Sequence, residues 1–103
     1  MAIARPSYEL AAGTNLITTN PGALTFVLLM TPIGAPVDST ITCYDQDVAA
    51  SIATTNKMCQ FGLDTSVSGF TVGGNITHPI RFSRGLVVVT TGAGAVAYVS
   101  YTK

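Results

Sequence analysis

The sequence predicts one all-β domain, a β-sandwich of the jelly-roll or immunoglobulin-like kind. Three observations predict it. The length, 103 residues, is near the commonest single-domain size and leaves room for one core. The apolar share is 48% against 10% charged residues, too apolar for a disordered chain. Short β-rich runs recur along the chain, each bounded by Gly, Pro, Asn or Asp, the punctuation of a sandwich or barrel.

Residues 8–12 form the first run, and Gly13-Thr14-Asn15 leads from it into Leu16-Ile17-Thr18-Thr19. Asn20-Pro21-Gly22 is a turn, because Pro presets one dihedral and Gly accepts positive φ. Residues 23–30, Ala-Leu-Thr-Phe-Val-Leu-Leu-Met, are apolar on both faces, as in a strand covered on both sides. After the loop from Pro32 to Pro36, residues 39–44 are rich in β-branched types, and Asp45-Gln46-Asp47 closes the run. Residues 48–53 read either as one or two helical turns capped by Asp47, since Ala favours helix, or as a loop with a short strand. Residues 58–63 and 67–72 are strands in which Gly62 and Gly69 mark bulges or close packing. Gly73-Gly74-Asn75 reads as a turn, Ile80-Arg81-Phe82 as a short strand and Ser83-Arg84-Gly85 as another turn. Residues 86–91, Gly92-Ala93-Gly94 and residues 95–101 read as a C-terminal β-hairpin. In its second arm Val96, Tyr98 and Ser100 share one face, and Ala97, Val99 and Tyr101 the other. Both faces are substantially apolar, which suits either a strand packed on a core inside and on a neighbouring subunit outside or a hairpin buried within one tight sandwich.

Charge narrows the partners. Five basic and five acidic residues cancel and no basic cluster exists, so nucleic acid is not the expected partner, nor is an anionic membrane surface. The first residues lack a basic segment followed by a long apolar one, so no targeting signal is expected. Residues 23–30 are far too short a run for a membrane-spanning helix. Scarce charge instead points to a surface partly covered by copies of the chain or by a partner, the alternative being a monomer coated with Ser, Thr and Gly.

No catalytic constellation is legible, and the expectation is a protein that is not an enzyme. His78 is the only histidine, and Pro79 beside it suggests an exposed turn. Asp45, Asp47 and Asp64 lack the glycine and glutamate of a calcium-binding loop, and no metal or other cofactor is expected. Glu9 is the only glutamate, so a paired-carboxylate glycosidase has nothing to build on. Asn75-Ile76-Thr77 matches a glycosylation sequon by chance, with no secretion signal beside it. Cys43 and Cys59 allow one disulfide, but without a secretion signal they read as two reduced core thiols.

Residues 1–7 read as an N-terminal arm preceding a single domain over 8–103. Apolar Ile3, cationic Arg5 and stiff Pro6 have little with which to form structure alone. Pinned by a neighbouring subunit, this arm would bring Ile3, Arg5, Pro6 and Tyr8 to a contact, with Tyr101 as a further candidate.

The run Pro79-Ile80-Arg81-Phe82-Ser83-Arg84-Gly85-Leu86-Val87-Val88-Val89-Thr90-Thr91-Gly92, ending in Ala95-Val96-Ala97-Tyr98-Val99-Ser100-Tyr101, resembles small structural proteins of tailed bacteriophages. Thr42-Cys43-Tyr44-Asp45, a strand ending in Tyr-Asp, is similar too. The resemblance implies a virion component at the capsid surface: a decoration or cement protein, a homotrimer that binds the major capsid protein and clamps neighbouring subunits. Its means would be apolar burial and strand addition. The alternative is a carbohydrate- or receptor-binding module of a phage tail or fibre, with Tyr44 or Tyr101 as the stacking ring. An enzyme relying on His78 is a third reading.

Overall fold

The structure is a computed structural model and describes residues 7–31, 37–64 and 71–103. Eight strands follow one another: β1 (Ser7–Ala11), β2 (Gly13–Thr18), β3 (Gly22–Met30), β4 (Ser39–Tyr44), β5 (Lys57–Leu63), β6 (Thr71–Phe82), β7 (Leu86–Thr91) and β8 (Val96–Thr102). The only helical piece among the described residues is a single 3₁₀ turn, Thr54–Asn56. Two four-stranded sheets result, ordered β1-β8-β3-β6 and β2-β7-β4-β5, and every strand pair is antiparallel.

The pairings β1·β8, β2·β7, β3·β6 and β4·β5 are nested, as though one long hairpin had been rolled up. The rolling is completed by β3·β8 and β4·β7. Eight strands in this order form a jelly roll. An immunoglobulin fold would divide its strands four against three, so the sandwich is of the first of the two kinds expected.

Hydrophobic alternation fixes which face of each strand turns inward. Leu24, Val27 and Leu29 of β3 meet Ala97, Val99 and Tyr101 of β8 within one sheet, and Ile41, Cys43, Leu86 and Val88 oppose them from the other. Leu10, Leu63 and Phe82 close the margins. The Phe82 and Tyr101 rings pack edge to face, centroids 5.9 Å apart, a favoured aromatic geometry.

Three local expectations are corrected. Residues 86–91 and 95–101 do not form a hairpin: β7 lies in one sheet and β8 in the other. The tight loop is real, with Ala95 N–H donating to the Gly92 carbonyl at 3.1 Å, but it carries the chain across the sandwich. Gly73-Gly74-Asn75 is not a turn, because β6 runs through it. Gly73 has φ +102°, and a Cβ there would run into the Val27 carbonyl of β3. Pro79, expected to place His78 in a turn, lies within β6, where it is tolerated because β6 is an edge strand. No α-helix forms over residues 48–53.

Candidate assembly face

The outer face of the β1-β8-β3-β6 sheet is apolar. Cross-strand register sets its rows: Ala11, Val96, Met30 and Thr71; then Glu9, Tyr98, Leu28 and Gly73; then Ser100, Phe26 and Asn75. Val96, Tyr98, Met30, Leu28 and Phe26 are each half-buried and none belongs to the core cluster. Residues 23–30 were expected to be covered on both sides. In the chain alone only one side is fully covered, and the other is left apolar at the centre of a sheet.

Two hydrogen bonds lie within this face. Tyr98 donates its hydroxyl to Glu9 Oε2 at 2.8 Å, and the carboxylate beside it raises the Tyr98 pKa above its ordinary value. Thr25 Oγ1 donates to the Ser100 carbonyl at 3.1 Å.

The outer face of the other sheet is richer in hydroxyls. Thr40 and Thr91 share a hydrogen bond of 2.6 Å between their side chains, and Leu16 stands out at the edge with 42% of its surface exposed.

At the sandwich corner, residues 45–56 are held by two polar side chains. Asp45 accepts from the backbone N–H of Ser83 (3.1 Å) and of Arg84 (2.8 Å), and from the Ser83 hydroxyl. Burial pushes its carboxyl up, but these bonds outweigh burial and hold its pKa below the ordinary carboxylate value. Gln46 is 5% exposed. It donates to the Val48 carbonyl at 2.8 Å and accepts from Ala53 N–H at 3.1 Å and from the Asn56 amide at 3.4 Å. The bonds to Asp45 come from the turn before β7, where only neighbouring residues were expected to explain this aspartate. Gln46 was not singled out at all; a glutamine between two aspartates carries no signal that it will be buried.

The named candidates separate. Ile3, Arg5 and Pro6 lie outside the described residues. Tyr8 pairs with Val99 through its backbone. Tyr101 is 4% exposed in the single chain and its ring packs against Phe82, on the face opposite Tyr98. Tyr44 is half-buried on the outer face of the second sheet. His78 is exposed, on β6 and not in a turn. Among the described residues no three His, Cys, Asp or Glu side chains converge on a metal-sized site, and no helix is long and apolar enough to cross a membrane. Cys43 and Cys59 are free thiols, the first in the core and the second half-buried against it.

Among the described residues, hollows open on the surface at two places that bear on the site. One, about 190 Å³, is lined by Arg81, Lys103, Phe82, Thr102 and residues 21–23. The other, about 400 Å³, lies between Asp38 and Asp64. Neither is lined by His78 or by a cysteine. Compared with protein-family models, curated proteins and solved structures, the chain matches none of them.

Proposed function

We propose that the domain is a structural protein of a virion, a decoration or cement protein that stabilises a phage head by bridging neighbouring capsid subunits. The observation that carries this reading is the apolar outer face of β3 and β8. Isolated apolar residues are common on any surface, but five adjoining ones at the middle of a sheet mark a place of contact. With 10% charged residues, the remaining surface offers little charge to keep such a face in water. Jelly rolls occur in viral capsid and lectin domains, which agrees with the reading by analogy of fold alone.

Burial of this face against a capsid protein needs no reacting group, and its strength would come from apolar area summed over many copies. Three copies per unit is the number that the bacteriophage resemblance implies. The carbohydrate-binding alternative has less behind it, because Tyr101 is buried and Tyr44 remains as the candidate ring.

The test is co-sedimentation of the purified chain with empty shells of its phage, together with the melting of those shells. Binding with a raised shell melting temperature is expected. Leu28→Lys, on the outer face and outside the core, should abolish binding while the isolated domain keeps its far-UV spectrum and melts within a few degrees of the parent. A variant that binds as well as the parent would remove the face from the proposal.

A further inference from the structure

We propose that Cys43 and Cys59 are a redox-closable pair, oxidised in the folded chain by a low-molecular-weight disulfide to a cross-strand disulfide that fastens edge strand β5 to β4. This goes beyond the assembly reading and stands without it.

The register places the two residues directly opposite one another on neighbouring antiparallel strands. Directly opposed residues have Cα atoms about 4.5 or 5.5 Å apart, according to the type of pair, and both values fall within the 4.4–6.8 Å that a disulfide spans. Both side chains turn toward the sandwich interior. The register slips immediately beyond the pair, where Tyr44 pairs with Lys57 and Met58 is the extra residue. A bulge at this point lets the backbone adjust as the sulfurs close, since ladder constraints are already broken there.

The two sulfurs are also unequal. The hydrogen bond from Cys43 to Cys59, together with burial, pushes the Cys43 thiol up, and the same bond holds the Cys59 thiol below its ordinary value. Cys59 is therefore the attacking group, since the thiolate is the nucleophile, and it is the one that solvent reaches. Its sulfur bonds to one sulfur of a small disulfide such as oxidised glutathione, and the S–S bond breaks. One small thiol leaves with the proton that Cys59 gave up. The Cys43 sulfur then attacks the Cys59 sulfur of the mixed disulfide, and the second small thiol departs with the Cys43 proton. Two protein thiols have lost two electrons and two protons, and one small disulfide has become two thiols.

The test treats the reduced full chain with oxidised glutathione under native conditions and follows intact mass, peptide mapping and thermal melting. Loss of two hydrogen atoms, a Cys43–Cys59 linked peptide and a melting temperature raised by roughly 10 °C are expected. Cys43→Ala should accumulate one glutathione on Cys59, and Cys59→Ala should react at least about tenfold more slowly than the parent because Cys43 is buried. The proposal is overturned by a parent chain that keeps both thiols in excess oxidised glutathione, stops at the mixed disulfide, links to a second chain, or melts lower once closed.

Discussion

Asp45 and Gln46 are neighbours with different physical roles. The Asp45 carboxylate gathers N–H groups of the turn before β7, and hydrogen bonds to a charged acceptor are among the stronger ones. Asp45→Asn should cost about 1–2 kcal/mol at neutral pH, read as a lower urea midpoint. Because the folded pKa lies below the unfolded value, near 3.9, this stabilisation is complete above that value and is lost as pH falls through the folded pKa. Unfolding curves of parent and variant should thus be separate at neutral pH and converge in acid. A gap that stays constant down to strongly acid solution would show that the carboxylate charge is not what holds the turn. Gln46 works through burial instead, since its amide pairs with backbone groups at Val48 and Ala53 of the loop.

At the scale of elements, β6 shows why a glycine pair is ambiguous. Glycine is chosen both for turns and for close backbone approach, and only the fold tells them apart. Gly73 faces the Val27 backbone at φ +102°, so Gly73→Ala should lower stability by about 2–3 kcal/mol. Gly62→Ala is the control: a Cβ there meets nothing within 4 Å, despite the close packing its sequence context suggested, and its urea midpoint should stay near the parent's. Gly69 falls outside the described residues. The strands themselves were legible, because β-branched runs and their Gly, Pro and Asn boundaries are local signals. Which sheet a strand joins was not. Gly92-Ala93-Gly94 turns the chain tightly in a hairpin and in a crossing between layers alike, and the partner of β8 is chosen by residues 23–30, far away in sequence. The candidate face was half legible for the same reason: alternation divided β8 correctly, but neither strand shows alone that Leu28 and Tyr98 stand side by side.

For the whole molecule, nested pairing joins the two ends of the chain. β8, the last strand, lies between β1 and β3 and is the hub of its sheet. β8 is synthesised after the other seven strands, so until it emerges β1 has no partner and β3 has only β6. The sheet cannot close before β8 has emerged, and shorter nascent chains expose the apolar run 23–30. Most pairings also span long stretches of sequence, a topology that folds in milliseconds to seconds and not in microseconds. Stopped-flow refolding should accordingly be slow. A chain truncated before Val96 should lack cooperative unfolding, and its tendency to aggregate should rise, because β1 and β3 both lose the strand between them.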